Sequence, residues 1–311
     1  MRRDKWTLKH IISTGQFLDK SLLNVIFKEA HKLEVKETVG NFSVPLKNKI
    51  LASVFYEPST RTRFSFEAAM LKLGGGVIST ENASHFSSAI KGESLADTIR
   101  IIGGYADIIV LRHPQEGSAL IASQVSPVPI INAGDGAGEH PTQALLDLYT
   151  VQRELGKIDG LTIGLVGDLL YGRTIHSLIG LLSLYKNVTI CLISPPSLRL
   201  PIAYRRRLKQ AGISFKETTA LQGVISNLDV LYITRVQKER FASQAHYEKL
   251  KDYYTIKPPA LKNLKKHAII MHPLPRVSEI AKDIDDDPRA AYFRQAKNGL
   301  YIRMALLKML L

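Results

Sequence analysis

Residues 57–76 read EPSTRTRFSFEAAMLKLGGG, and within them Ser59, Thr60, Arg61, Thr62 and Arg63 form an unbroken run of three hydroxyls and two guanidiniums. Such a run is suited to anion binding: hydroxyls give neutral donors to an oxyanion, and an arginine adds a forked, charge-assisted contact. The apolar KILASVF just before it reads as a buried strand. Phe64, Phe66, Ala68, Ala69, Leu71 and Leu73 after it read as a helix that stops at three glycines. A strand feeding a helix leaves backbone N–H groups and the positive end of the helix dipole at the junction. A phosphate suits that junction. One Ser or Thr would cap a helix; five consecutive donors exceed that need, so the run is expected to bind phosphate.

Five further segments concentrate polar side chains in the same way: LRHPQEG (111–117), NAGDGAGEHPTQALLDL (132–148), VGDLLYGRTIHS (166–177), ITRVQKERF (233–241) and MHPLPR (271–276). Each closes an apolar, strand-like run, and in open α/β sheets ligands bind beyond the carboxyl ends of the strands. The segments are therefore expected to converge on one cleft between two domains. His113 precedes Pro114 and reads as support for Arg112, whereas His140 opens a helix after a glycine-rich turn, where a structural and a chemical role are both open. His272 is expected to shape a strand end, and His85, His176 and His246 carry no signal. No histidine has metal-ligand spacing with a second His or Cys, so no metal is expected. Asp285, Asp286 and Asp287, ahead of Pro288, read as a solvated turn.

The elements that must position these residues alternate. Strands are predicted at 50–55, 77–80, 107–111 and 129–133, with helices at about 62–73, 95–105 and 118–125 between them. HPTQALLDLYTVQRELG reads as a longer helix, with Pro141 in its first turn and Gly156 as its stop. The second half repeats the rhythm with strands in LTIGLVGD, VTICLIS, DVLYITR and HAIIMHPLP and a helix in GRTIHSLIGLLSLY. Continuous apolar strands alternating with helices predict α/β domains, each a parallel sheet flanked by helices.

Bulk properties narrow the partners. The chain has 311 residues, 45% hydrophobic and 23% charged, as an ordinary soluble globular protein has. Its formal charge of +14 favours anionic partners without naming them. The basic residues are spread out, YRRRLKQ (204–210) reads as a solvated helix face, and aromatics do not interleave with the basic clusters, so no nucleic-acid partner is expected. The lone cysteine, Cys191, fits a buried strand position and a reducing cytoplasm. The N-terminal residues lack an apolar core of signal-peptide length, and the apolar C-terminal GLYIRMALLKMLL is too short to span a bilayer, so no membrane partner is expected.

With these segments together, the sequence resembles the aspartate carbamoyltransferase catalytic chains over nearly its whole length. FYEPSTRTRFSFEAAM resembles the carbamoyl-phosphate signature shared with the ornithine enzymes. RHPQEG, NAGDGAGEHPTQALLDL, VGDLLYGRT, TRVQKER and MHPLPR resemble the aspartate branch, in order. An ornithine enzyme would be expected to carry a cysteine in an HCLP motif where this chain has His272-Pro273-Leu274-Pro275.

The resemblance implies a carbamoyl-phosphate-binding domain of residues 1–138 plus 291–311 and an aspartate-binding domain of 139–290. It implies transfer of the carbamoyl group of carbamoyl phosphate to L-aspartate, the committed step toward pyrimidines, with no cofactor. Ser59, Thr60, Arg61, Thr62 and Arg112 would hold the phosphate, and Thr62, Arg112 and His140 would point at the carbamoyl oxygen. Gln143, at i+3 from His140 on one helix face, would accept from the carbamoyl NH2. The backbone carbonyls near Leu274 and Pro275 would hold the attacking amine, and both residues count toward the carbamoyl-phosphate site. Arg173, Arg235 and Gln237 would take the aspartate carboxylates. In relatives the residues matching Ser87 and Lys91 enter a neighbouring subunit's site, where Lys91 serves both substrates, which implies a homotrimer with shared sites and leaves room for a regulatory chain. Glu57, Arg173 and Arg240 match residues that link the domains on closure. Many relatives carry a lysine where this chain has Leu170, and some carry two lysines where it has Ile90-Lys91.

Two other classes fit less well. GLVGDLLYGRT follows a strand and opens a helix, as a dinucleotide site would, yet its glycines do not match G-x-G-x-x-G and no acidic residue ends the next strand. A basic nucleic-acid binder or an inactive assembly subunit would not need intact donors at every strand end.

Overall fold

The computed structural model describes residues 8–40, 44–83, 92–237, 241 and 243–311. The chain divides into two compact units, Met1–Leu145 with Lys297–Leu311, and Leu146–Ala296. Both breaks fall within helices.

The first unit contains α1 (Lys20–Thr38), β1 (Ile50–Phe55), α2 (Thr60–Lys72), β2 (Gly76–Glu81), α3 (Leu95–Gly103), β3 (Ile108–His113), α4 (Ser118–Val125), β4 (Ile130–Asp135) and the start of α5 (Pro141–Leu155). Its sheet runs β2-β1-β3-β4 with every neighbour parallel. Parallel neighbours need long crossovers, which the helices between them supply. β4 is buried along its whole length and β1 at all but its first residue, as strands covered on both faces are. Asp19 starts α1 by accepting from the N–H of Ser21 at 2.6 Å and of Leu22 at 3.3 Å. Ser94 starts α3 by accepting from Asp97 N at 3.1 Å. Each such cap contributes about 1 kcal/mol.

The second unit holds the rest of α5, then β5 (Thr162–Val166), α6 (Arg173–Leu182), β6 (Thr189–Ile193), α7 (Ile202–Gln210), β7 (Ser214–Thr218), β8 (Val230–Ile233), α8 (Gln244–Leu250), β9 (Ile269–Met271) and the start of α9 (Tyr292–Leu310). Its sheet runs β7-β6-β5-β8-β9, again all parallel. A core of Leu228, Ile233, Leu261, Ile270 and Tyr292 lies against one face. Cys191 is buried in β6. Among the described residues no helix is long and apolar enough to cross a membrane.

Three details differ from the sequence reading. β3 runs on to His113, two residues beyond its predicted end, so Arg112 lies inside the strand. Asp285 and Asp287 are not merely solvated: Asp285 pairs with Arg276, and Asp287 holds Arg289 at 2.7 Å, because basic partners reach back across the turn. In the basic run, Arg205 of α7 pairs with Glu217 of β7 at 3.1 Å, while Arg206 and Arg207 are exposed.

Candidate active site

In the first unit, α2 begins at the carboxyl end of β1, as the run at 59–63 predicts. Ser59 occupies the N-cap position, yet its hydroxyl makes no capping bond. The helical ladder opens with Arg63 N donating to Ser59 O at 3.0 Å, which leaves the N–H groups of Thr60, Arg61 and Thr62 outside the ladder. Thr60 and Arg61 are exposed, Ser59 is half-buried and Thr62 is buried. The fifth donor has a different use. Arg63 reaches Glu81 at 2.9 Å and Glu67 at 3.6 Å and lies over the Phe64 ring, so it ties α2 to β2. Of the five donors in the run, Arg63 is thus taken up by structural contacts.

Register brings Arg112 to this turn. Phe55 of β1 pairs with Arg112 of β3, and Tyr56 N donates to Arg112 O at 2.9 Å. On its other side β4 carries an extra residue: Leu111 pairs with Asn132 but His113 with Asp135, so Ala133 and Gly134 stand opposite Arg112 alone. Bulges of this kind re-aim a side chain beside a functional site. Here Arg112 Nη1 donates to Ala133 O at 3.3 Å, and Nη2 stands 3.5 Å from Glu57 Oε2. Burial pulls the guanidinium below its ordinary value, with Glu57 opposing. His113 packs edge-on against Tyr56, its ring centroid 4.6 Å away, and Nδ1 accepts from Gln115 N at 3.1 Å.

The turn after β4 is locked by backbone proximity. Gly136 sits at φ +52°, and a β-carbon there would stand 2.3 Å from Pro114 O, so only glycine lets the two loops touch. Asp135 ties the same loops, accepting from Gly117 N at 3.1 Å and Glu139 N at 2.9 Å. The turn delivers His140, buried, to the start of α5, where its carbonyl accepts from Gln143 N at 3.0 Å. Gln143 follows in the first helical turn, half-buried.

In the second unit the loops after β5 and β8 are clipped together. Asp168 Oδ1 accepts from Tyr171 N at 2.9 Å and Oδ2 from Gln237 N at 3.4 Å, while Gln237 Nε2 donates to Tyr171 O at 2.8 Å. A β-carbon on Gly167 would stand 2.3 Å from Thr234 O, which shows how closely the two strand ends approach. Burial pushes the Asp168 carboxyl up to about 6, against the N–H groups of Tyr171, Gln237 and Leu170 and the charge of Arg235. Arg173, at the first position of α6, donates its N–H to the same Tyr171 O at 2.8 Å, and the charge of Arg235 acts on Asp168, so the clip gathers Arg173, Arg235 and Gln237. Leu170 contributes its N–H, so replacement of a lysine at that position leaves the clip intact. His176 adds a bond that sequence reasoning missed: Nε2 donates to Leu169 O at 2.9 Å, and the ring stacks on Tyr204.

Leu274 and Pro275 follow β9. Leu274 has φ +55°, a left-handed conformation that costs a side-chain-bearing residue about 1–2 kcal/mol. Its N–H donates to His272 Nδ1 at 2.8 Å. Ser87, Lys91, Arg240 and His85 lie outside the described residues. Among the described residues no group of three or more His, Cys, Asp or Glu side chains could hold a metal ion.

A helix start without a side-chain cap, with a half-buried arginine on the neighbouring strand of a parallel α/β unit, is an arrangement suited to a small anion. Residues 9–153 match the model described as aspartate/ornithine carbamoyltransferase, carbamoyl-P binding domain, and residues 159–310 match that of the Asp/Orn binding domain. The chain belongs to the aspartate/ornithine carbamoyltransferase family. It is 51% identical to aspartate carbamoyltransferase 1, chloroplastic, of Pisum sativum, over 99% of this chain and 80% of the relative. The solved catalytic subunit of aspartate transcarbamoylase from Methanocaldococcus jannaschii is 54% identical, with a TM-score of 0.91 over 97% of this chain and 98% of that one. Aspartate transcarbamoylase from Trypanosoma cruzi, solved with carbamoyl phosphate and aspartate, is 41% identical with a TM-score of 0.92, covering 97% of each chain.

Proposed function

We infer that the chain transfers the carbamoyl group of carbamoyl phosphate to the amine of L-aspartate, giving N-carbamoyl-L-aspartate and phosphate in pyrimidine biosynthesis. The observation that carries this reading is the uncapped first turn of α2 set beside Arg112, in a chain whose two halves match the two domains of the family in order. Relatives with aspartate in their names select the amino-acid substrate.

The residue roles follow from the family resemblance, and the charges of the groups agree with them. Residues 1–138 with 291–311 take carbamoyl phosphate, and 139–290 take aspartate. Ser59, Thr60, Arg61 and Thr62 receive the phosphate with Arg112, and Gln143 accepts from the carbamoyl NH2. Arg173, Arg235 and Gln237 receive the aspartate carboxylates, with Gln237 exchanging its bond to Tyr171 O for the substrate. The amine, held by carbonyls near Leu274 and Pro275, forms the new N–C bond while the bond from the carbamoyl carbon to the phosphate oxygen breaks. Negative charge grows on the carbonyl oxygen and is met by Thr62, Arg112 and His140, an electrostatic contribution typically large in acyl transfer. The departing phosphate takes the amine proton, and Arg61 stabilises it. Fixing two substrates in register supplies roughly 7–11 kcal/mol.

The same reading makes the protein a cytoplasmic homotrimer in which Ser87 and Lys91 serve a neighbouring subunit's site. A lone buried cysteine suits a reducing compartment. A regulatory chain would fit a protein whose relative is named a catalytic subunit.

A colorimetric ureido assay tests the function. Wild-type protein should form carbamoyl aspartate, and Arg61→Ala should lower the rate by about 100- to 1000-fold. Equal rates for the two would reject the assignment.

A further inference from the structure

The segment carrying Leu274 and Pro275 is held from both sides by buried side chains of the second unit. A backbone N–H can only donate, so His272 Nδ1 must accept from Leu274 N, 2.8 Å away, and the ring proton sits on Nε2. Nε2 then donates to Glu279 Oε1 at 2.7 Å. The other Glu279 oxygen accepts from Val277 N at 3.0 Å and Ser278 N at 3.1 Å. The His272 N–H also has one polarity, and it meets Gln295 Oε1 at 2.9 Å. That orientation turns Gln295 Nε2 toward Asp147, whose Oδ1 accepts at 2.6 Å while Oδ2 takes the Tyr232 hydroxyl at 2.8 Å.

Each donor in this relay faces an acceptor, and the backbone N–H groups of His272 and Leu274 set its direction. His272 and Gln295 are each 1% exposed, Asp147 is fully buried and Glu279 is 4% exposed, so water does not compete for these bonds. What the relay holds is a leucine at positive φ, a backbone state that persists only where the surroundings impose it.

We propose that His272, Glu279, Gln295 and Asp147 are positioning residues for carbamoyl transfer, together aiming the Leu274 and Pro275 carbonyls at the attacking amine. The proposal rests on the reaction given above and adds what keeps its amine acceptor in place. None of the four is assigned a substrate contact.

Two replacements separate the two ring nitrogens. Asparagine puts an amide oxygen where Nδ1 stands and keeps the bond to Leu274; glutamine reaches the place of Nε2, keeping Glu279 but losing Leu274. In steady-state kinetics His272→Gln should lose about 10- to 100-fold in kcat, the effect of a displaced reacting group, with KM for carbamoyl phosphate near wild type. His272→Asn should keep kcat within a few-fold of wild type. Equal kcat values for the two variants, in an active wild-type background, overturn the proposal alone; a wild type that forms no ureido product overturns it together with the reaction. Should His272→Gln not fold, 15N spectra of histidine-labelled wild type decide: a bare Nδ1 and a protonated Nε2 on His272 support the relay, and a proton on Nδ1 refutes it.

Discussion

Arg61 and Arg63 are two residues apart and sit in different surroundings. Arg61 stays at the exposed start of α2, whereas Arg63 is absorbed by Glu67 and Glu81. Spacing alone could not separate them, because the acids that claim Arg63 lie a helical turn away and on the next strand. The hydroxyls and Arg112 stand where the sequence reading put them, at the carboxyl ends of β1 and β3, and His140 stands just ahead of α5, after the glycine-rich turn. The extra residue of β4 opposite Arg112 was not read, because the predicted strand stopped at residue 133, short of Gly134. Nor was Asp168 read, an acid in a glycine-rich loop whose partners are backbone N–H groups. Its carboxyl rises from an ordinary 3.8 to about 6 on folding. The folded state therefore holds this proton more tightly than the unfolded chain. That contribution is complete below about pH 4 and is lost as pH rises through about 6, on the order of 3 kcal/mol. Asp168→Asn removes the titration. Denaturant unfolding at several pH values should show the variant gaining on wild type between pH 4 and about 6.5, then running parallel to it; a constant difference across that range contradicts the burial argument.

At the level of elements, the parallel strands were legible because burial on both faces gives unbroken apolar runs. Ile50–Phe55 matches its expectation residue for residue. β7 was missed because it lies at the sheet edge, where SFKET is half-exposed and reads as polar loop. α1 was missed for a related reason: its charged outer face dilutes a stripe of Leu22, Leu23, Ile26, Phe27, Ala30 and Leu33. Its C-terminal end is fastened by Glu37, which holds Lys72 of α2 at 2.7 Å and Lys297 of α9 at 3.1 Å. Those contacts fasten α1 to α2 and α9. Arg303 of α9 adds a buried contact to Ser65 and lies over the Phe66 ring, 4.9 Å from its centroid.

At the scale of the molecule, two α/β units were readable from the repeating rhythm, and they part within α5 and α9, which continue through both breaks. The chain's formal +14 is the setting in which a phosphate and two carboxylates can be gathered by one protein. Assembly belongs to this scale as well. If Ser87 and Lys91 serve a neighbour's site, activity requires association. Light scattering should give the mass of three chains under assay conditions, and dilution that dissociates them should abolish turnover. A fully active monomer contradicts the shared site.

The central claim is that the first turn of α2 receives the phosphate. A crystal structure of the protein with a bisubstrate phosphonate analogue addresses it directly. The account predicts phosphonate oxygens on the N–H groups and hydroxyls of residues 59–62, with the guanidiniums of Arg61 and Arg112 turned onto them. An ordered analogue bound elsewhere, with that turn empty, would contradict it.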